Sequence, residues 1–269
     1  MNQLYDAVGL SKQAFHQYMD RQMRRLEEEQ QLISVIDKVR RDHPRMGLWK
    51  LYQLLRPWSM GRDRFVDFCK RAGYELTLKR SAYKTTRSHG VAGFENLLAE
   101  KSLQDELTYV NQVWVSDITY YRIGETFYYI TLILDLFSRR IVGWHVSHTL
   151  KVEDTTIPAF KHAIKYRAVG EGLIFHSDKG GQYYSKAFLD LTRPIGIHNS
   201  MGEPAYENAH AERVIKTIKH EYLIPYGPEN FTELRRMLTK AVEKYNFERP
   251  HQSLYDNTPV AFEKFLTTV

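Results

Sequence analysis

The spacing of apolar residues changes along the chain. In residues 1–76 they recur every three or four positions, which is typical of helices that bury one face. From about residue 112 they form runs rich in Val, Ile, Tyr and Trp, which favour β-strands. The pattern therefore predicts a helical region followed by a domain built around a sheet.

The first helices surround a tight turn between residues 4 and 21. Gly9 permits the turn and Ser11 is a good helix N-cap, so two short helices are expected, with Lys12 at the start of the second. This spacing fits a helix-turn-helix, whose second helix enters the DNA major groove. A plain helical hairpin fits the same residues, and the sequence leaves both interpretations open.

A second helical module is predicted at about residues 32–75. A long helix over 20–41 leads into it, and two further helices are expected over 46–55 and 61–71. Arg62 and Arg64 lie on the last of these helices, which makes that helix a second candidate for contact with DNA.

Residues 77–105 are predicted to be a basic linker. The part up to residue 93 is rich in Lys and Arg, has no acidic residue and shows little apolar periodicity. Arg80 and Lys84 are candidates for contacts with DNA phosphates. A solvated tether is the alternative.

The rest of the chain, residues 106–269, predicts an α/β domain. Three consecutive strands are joined by short connections, and helices then alternate with short strands. This order implies a mixed sheet with helices on both faces. The predicted strands are 112–123, 126–136, 139–148, 172–175 and 196–199, and the predicted helices are 154–166, 185–193, 205–223 and 232–245.

Charge and composition narrow the function classes. Residues 1–92 contain 18 Lys and Arg against 10 Asp and Glu, while the remaining residues contain 20 against 22, so the basic charge lies in the helical region. That asymmetry is typical of a nucleic-acid-binding arm joined to a second domain. Cys69 is the only cysteine, which excludes an internal disulfide and a cysteine-based zinc site. No apolar run reaches membrane-spanning length and no signal pattern opens the chain, so we expect a cytoplasmic protein with no membrane partner.

Three acidic residues lie on, or at the carboxyl end of, separate predicted elements of this domain. Asp117 lies within the first long strand, Asp178 follows the strand-like Leu173-Ile174-Phe175 run, and Glu212 lies on a helix among Ala and Val residues. Taken singly, Asp117 could cap a β-bulge, Asp178 could be a turn residue and Glu212 could be a surface residue of a helix. Together they suit phosphodiester chemistry, because oxygen ligands select Mg²⁺ or Mn²⁺ and two such ions can act on the attacking and leaving oxygens.

The chain resembles the integrase-like transposases of bacterial insertion sequences, most closely the insertion-sequence-3 family. The resemblance covers residues 94–269 and is specific, because its motifs are long and ordered. HPRMGLWKLYQLL at 43–55 also looks like the family's second helical DNA-binding module. The matching motifs are WVSDITYY (114–121), FYYITLILDLFSRRIVGW (127–144), HSDKGGQYYS (176–185), SMGEPAYENAHAERVIKTIKHE (200–221) and YNFERPHQSLYDNTP (245–259).

The resemblance implies a ribonuclease H-like catalytic domain in which two Asp and one Glu hold two Mg²⁺ or Mn²⁺ ions per active site. Those positions correspond to Asp117, Asp178 and Glu212. Lys216 and Lys219 share a helical face with Glu212 and are expected at the terminal DNA, although solvated surface lysines would have the same spacing. The remaining candidates, expected to support the acids or to pack near them rather than to bind metal, are His176, His210 and Asn208.

The resemblance implies a DNA transposase that cleaves the ends of an insertion sequence and joins the 3′-hydroxyl to DNA. Its partners would be double-stranded DNA, both terminal inverted repeats and target, and a homo-oligomer of at least two protomers on that DNA. Two alternatives remain: a metal-dependent nuclease without strand transfer, and a catalytically inactive DNA-binding regulator.

Overall fold

The computed structural model describes residues 11–76, 93–98, 107–202 and 209–266. The chain divides into two compact units, Met1–Leu76 and Thr77–Val269. Within the described residues, no helix has both the length and the apolar character required to cross a bilayer.

Between residues 11 and 76 the first unit contains three helices: α1 (Lys12–Asp42), α2 (Leu48–Leu55) and α3 (Arg62–Arg71). Ser11 caps α1 as predicted, since its Oγ accepts the Ala14 N–H at 3.1 Å. Residues 4–10, and with them the first helix and turn of the predicted helix-turn-helix, lie outside the described residues. The core that holds the three helices together contains Leu32, Ile36, Leu51, Met60, Phe65, Phe68 and Cys69.

The prediction of a separate helix over residues 12–21 is wrong. Residues 12–42 form one continuous helix, because this stretch contains neither Gly nor Pro to interrupt it. The helix ends just before Pro44, which disfavours a helical conformation at the residue that precedes it.

A five-stranded mixed sheet forms the centre of the second unit, in the order β3-β2-β1-β4-β5. The β1–β2 and β2–β3 pairs are antiparallel, whereas β1–β4 and β4–β5 are parallel. The predicted mixed sheet is therefore confirmed. Its strands are β1 (Val113–Ile123), β2 (Thr126–Asp135), β3 (Ile141–Ser147), β4 (Ile174–Ser177) and β5 (His198–Met201).

Helices cover both faces of this sheet, as the sequence predicts. One face packs against α6 (Ala209–Thr217), the π-helical segment Ile218–Leu223 that continues it, called here the π turn, and α7 (Phe231–Phe247). The opposite face packs against α4 (Thr156–Tyr166) and α5 (Lys186–Thr192). The last helix, α8 (Pro259–Leu266), follows α7.

Strand β1 contributes to both cores because its side chains alternate between the two faces. Val113 and Val115 belong to the core under α6 and α7, and Trp114 belongs to the core under α4 and α5. Asp117, two residues after Val115, therefore emerges on the α6 face.

Several predicted boundaries need correction. The short strands lie two residues later than predicted, because Gly172 and Gly196 adopt left-handed φ values of 89° and 75° and delay the start of each strand. The α helix expected over 205–223 is described from Ala209 and changes to the π turn at Ile218. Helix α8 was not predicted.

Part of the predicted linker belongs to the second unit. Leu98 is buried in the α6-side core and Phe94 packs against the opposite core. The Leu97 N–H donates to Ser200 Oγ at 2.9 Å, which ties this segment to β5. Residues 93–98 are thus a packed segment, and the linker assignment is wrong for them.

A network of buried charges fastens α8 to the sheet. Glu263 accepts two hydrogen bonds from Arg167, at 2.7 and 2.9 Å, and one from Arg140 at 2.6 Å. Ser138 Oγ bridges Glu263 and Asp135 at 2.7 and 2.9 Å. Because buried charges are tolerated only when paired, this network fixes α8 against the β2–β3 connection.

Candidate active site

Asp117 and Asp178 are neighbours just beyond the last residue pair of the parallel β1–β4 pairing. The β1–β4 register ends with Ser116 opposite Ser177, so that each aspartate is the next residue of its chain. Neighbouring strands lie about 4.8 Å apart, which places the two carboxyl-bearing residues within reach of one another.

Glu212 approaches the same face of the sheet from α6. Ala211, Val214 and Ile215 are buried in the core that contains Val113 and Val115, so α6 packs on the face from which Asp117 emerges. The sheet register and the packing of α6 thus bring the three predicted acids to one side of the molecule.

Burial and like charge act together on Asp117. Desolvation is the largest effect, and the charge of Asp178 comes next; with a smaller contribution from Glu212 they raise the pKa of Asp117 from 3.8 to about 7. Burial also raises the pKa of Asp178. A carboxyl group with a strongly raised pKa in such a cluster is a frequent mark of a functional site.

The three acids have local hydrogen-bond partners. Asp117 Oδ1 accepts the Ile118 N–H at 2.7 Å, and Asp178 Oδ1 accepts the Gly180 N–H at 3.1 Å. Glu212 Oε2 accepts from Lys216 Nζ at 3.2 Å. Across residues 11–76, 93–98, 107–202 and 209–266, no group of three His, Cys, Asp or Glu side chains is arranged to hold a metal ion. The acids share a face without forming a closed coordination shell.

The two predicted lysines have different surroundings. The side chain of Lys216 is 70% exposed. Lys219 instead donates to Thr119 Oγ1 at 3.2 Å and to the Tyr120 carbonyl at 2.8 Å, and burial lowers its pKa. Lys219 therefore brings a partly desolvated cation to β1, two residues beyond Asp117.

Neither histidine near the acids is positioned by a carboxylate in the way a metal-ligating histidine usually is. His176 is buried, and its Nδ1 lies 2.9 Å from Ser200 Oγ. His210 Nδ1 lies 3.0 Å from Arg139. Burial lowers the pKa of both rings to about 4, so both are neutral at pH 7. Asn208 lies outside the described residues.

The other predicted DNA contacts that the structure describes belong to the first unit. In the first unit, Lys12 and Arg64 are exposed, whereas Arg62 pairs with Asp63 at 2.6 Å and has its guanidinium 5.0 Å from the centre of the Trp49 ring. Arg80 and Lys84 lie outside the described residues.

Sequence reasoning missed a buried hydroxyl pair beside the aspartates. Ser116 Oγ donates to the Leu132 carbonyl at 3.0 Å and lies 2.9 Å from the Tyr183 hydroxyl. Because Ser116 gives its single hydrogen to Leu132, Tyr183 is the donor to Ser116. The only signal in the sequence is that Ser116 directly precedes Asp117.

Comparisons with known proteins agree with this fold and place it in a class. Residues 108–206 and residues 193–259 match two family models, both described as integrase core domain. A simian T-cell lymphotropic virus intasome structure aligns with a TM-score of 0.51 at 16% identity, over 81% of this chain and 74% of the viral chain. The sheet order and helical layers are thus those of an integrase core, a ribonuclease H-like fold.

The sequence relatives define the family more narrowly. The chain is 31% identical to transposase InsF for insertion sequence IS3A of Escherichia coli K12 over 76% of each chain. It is 31% identical to an IS600 31 kDa protein of Shigella sonnei over 76% of this chain and 75% of that protein. An IS904 transposase of Lactococcus lactis is 35% identical, and the match covers 58% of this chain and 62% of the relative. The chain belongs to the insertion-sequence-3-type DDE transposases.

Proposed function

We propose that this protein cleaves the ends of an insertion sequence and joins the freed 3′-hydroxyl to DNA, with Asp117, Asp178 and Glu212 as the catalytic acids. The observation that carries the proposal is the pair of neighbouring aspartates that follows Ser116 and Ser177 in register. Both have raised pKa values, and Glu212 lies on the helix packed over the same face.

The residues present suit divalent metal ions. Asp117, Asp178 and Glu212 offer only oxygen donors, which Mg²⁺ and Mn²⁺ prefer. The raised pKa of Asp117 reports unfavourable burial of negative charge beside Asp178, and a bound cation would relieve it. Two such ions, once bound by these residues, would supply activation of the attacking oxygen and stabilisation of the leaving one. We infer that these three residues would hold them.

The chain's own residues then have distinct tasks. The exposed ammonium of Lys216 can contact a DNA backbone phosphate beside the acids. The ammonium of Lys219 is a second positive charge, next to the adjoining part of β1. Asp178 is oriented by its own turn through the Gly180 N–H. Since a water or a DNA 3′-hydroxyl would serve as nucleophile, the chemistry requires no protein side chain to form a covalent intermediate.

The test is cleavage and joining of labelled end DNA by the full chain with Mg²⁺ or Mn²⁺. Asp117→Asn, Asp178→Asn and Glu212→Gln should each lower both reactions by at least about a thousandfold, while DNA binding stays within about threefold of wild type. Asp190→Asn is the matched control, because Asp190 is an exposed acid paired with Lys186. Wild-type rates in the Asp117→Asn protein would refute the catalytic assignment.

The same assay separates the alternatives. Cleavage without joining of a supplied 3′-hydroxyl end would identify a nuclease. Binding of end DNA with neither reaction, at any Mn²⁺ concentration, would identify a DNA-binding regulator.

We further propose that the active assembly contains at least two protomers on DNA, because two element ends must meet for joining. Light scattering of the protein with and without end DNA tests this. A complex that holds two DNA ends and two or more chains is expected, and a complex of one chain with one end would contradict it.

A further inference from the structure

The β1–β4 ladder stops just before the two aspartates. Ser116 and Ser177 form its last pair, so the ladder itself does not fix the separation of Asp117 and Asp178. Metal ligands need to be held within about 0.5 Å of their working geometry. Some other contact must hold this part of β1 against the turn that follows β4.

The turn after β4 is tightly organised between Asp178 and Tyr183. The Gly180 N–H donates to Asp178 Oδ1 at 3.1 Å, and the Tyr183 N–H donates to the Gly180 carbonyl at 3.0 Å. The Tyr183 ring is 2% exposed and lies 6.1 Å, centre to centre, from both Phe175 and Phe188. The Tyr183 side chain therefore moves with the turn that carries Asp178.

The Tyr183 hydroxyl then crosses to β1. It donates to Ser116 Oγ at 2.9 Å, and Ser116 donates onward to the Leu132 carbonyl of β2. These two hydrogen bonds thus link the turn that carries Asp178 to β1 and β2. On β1 the link is made at Ser116, the residue directly before Asp117.

We propose that Tyr183 and Ser116 are positioning residues whose hydroxyl bridge sets the separation of the Asp117 and Asp178 carboxylates for metal binding. The inference rests on the proposed function, because the bridge would orient the metal ligands of that same site.

The bridge and Asp117 lie on opposite faces of β1. Ser116 alternates with Asp117 along that strand, and Tyr183 belongs to the core with Trp114. Loss of the bridge would change the geometry of the carboxylates without removing a contact with DNA. Burial raises the pKa of Tyr183 well above 10, which keeps its hydroxyl a donor throughout the working pH range.

The experiment compares Tyr183→Phe, Ser116→Ala and the double variant with wild type. Tyr184→Phe is the matched control, since it removes the same hydroxyl from the next residue. Mn²⁺ binding to the DNA-free protein is measured by electron paramagnetic resonance, and thermal unfolding is recorded for each variant. Kinetics of end cleavage are measured over a range of Mn²⁺ concentrations.

Tyr183→Phe is expected to weaken Mn²⁺ binding about tenfold, the low end for loss of a partner that orients metal ligands. It should lower kcat at limiting Mn²⁺, with recovery at saturating Mn²⁺ and an unchanged KM for DNA. Ser116→Ala should behave alike, and the double variant should be no worse than either single one, because all three lose the same bridge. Tyr184→Phe should match wild type.

Two results would overturn the inference. If wild type binds Mn²⁺ and cleaves DNA while Tyr183→Phe and Ser116→Ala do so equally well, the bridge does not position the acids, even if the melting temperature falls. If wild type neither binds Mn²⁺ nor cleaves, the proposed function fails and the bridge has no metal site to serve. Should Tyr183→Phe not fold, Ser116→Ala decides the question.

Discussion

Lys216 Nζ lies 3.2 Å from Glu212 Oε2, one helical turn further along α6. An exposed cation thus sits directly beside one of the three candidate acids. The pair has the i,i+4 spacing at which helix side chains meet. This placement suits a lysine that exchanges its carboxylate partner for a DNA phosphate when substrate binds.

Lys216→Met should weaken binding to end DNA and reduce the salt dependence of the binding constant by roughly 0.9 in the log–log slope, the value for one lost phosphate contact. Lys186→Met is the control, because Lys186 forms a similar exposed i,i+4 pair with Asp190. Fluorescence anisotropy over a salt series measures both. An unchanged slope in Lys216→Met would show that Lys216 makes no phosphate contact.

Asp117→Asn should stabilise the metal-free protein, and more so at high pH. The pKa of Asp117 is about 7 in the folded state against 3.8 ordinarily, so the folded state retains a proton that the unfolded state has lost between these values. Stability contributed by this group therefore falls as pH rises from about 4 to 7 and stays low above pH 7. The free energy of unfolding lost through Asp117 over this pH range is on the order of 2–4 kcal/mol.

Thermal unfolding in EDTA at pH 5 and pH 8 measures this effect. The melting-temperature gain of Asp117→Asn over wild type should be larger at pH 8, while Asp190→Asn should show no such trend. A gain that is equal at both pH values would mean that Asp117 ionises normally.

Arg249→Gln should destabilise the catalytic unit by roughly 3 kcal/mol, because it leaves Glu221 without its charged partner in a mostly buried position. Arg249 donates to Glu221 at 2.8 and 2.7 Å, and its own side chain is only 6% exposed. Since Glu221 lies in the π turn, the pair also secures the end of the helix that carries Glu212.

Urea unfolding compares this variant with Arg122→Gln, which breaks an exposed pair with Glu125 and should cost less than about 1 kcal/mol. Adding Glu221→Gln to Arg249→Gln should recover part of the loss. Equal losses in Arg249→Gln and Arg122→Gln would contradict the importance assigned to the buried pair.

Gly143→Ala should be strongly destabilising, by about 2 kcal/mol or more, because a Cβ there would lie 2.5 Å from the Ala159 carbonyl oxygen. Gly143 lies on β3 where that strand packs against α4. Gly170→Ala is the control, since nothing lies within 4 Å of its added Cβ. Unfolding midpoints measure both, and similar midpoints would show that α4 can move aside.

The long strands could be predicted within a few residues because alternation and turn residues mark their ends. The predicted positions of β4 and β5 are two residues too early, because a four-residue strand has little periodicity. The start of each strand depends on the left-handed conformation of a glycine, Gly172 or Gly196. Helix α8 was missed because an eight-residue helix leaves a weak pattern and is secured by a distant partner, Arg167.

The candidate acids could be selected from the sequence because Asp117 and Glu212 are charges among apolar residues and Asp178 stands at the carboxyl end of a strand-like run. Their side-by-side register could not, since it depends on strand pairing between Ser116 and Ser177. The Tyr183–Ser116 bridge joins positions 67 residues apart, and the sequence alone carries no indication of such a contact. The Lys216–Glu212 contact follows from helical spacing and was within reach of prediction.

The attachment of Glu263 limits how far the catalytic unit can be trimmed for expression. A fragment that stops before Pro259 would remove the carboxylate that accepts hydrogen bonds from Arg167 and Arg140. Ser138 would lose its hydrogen bond to Glu263, and with it the bridge from Glu263 to Asp135. A fragment that keeps this buried charge network intact should therefore include α8 (Pro259–Leu266).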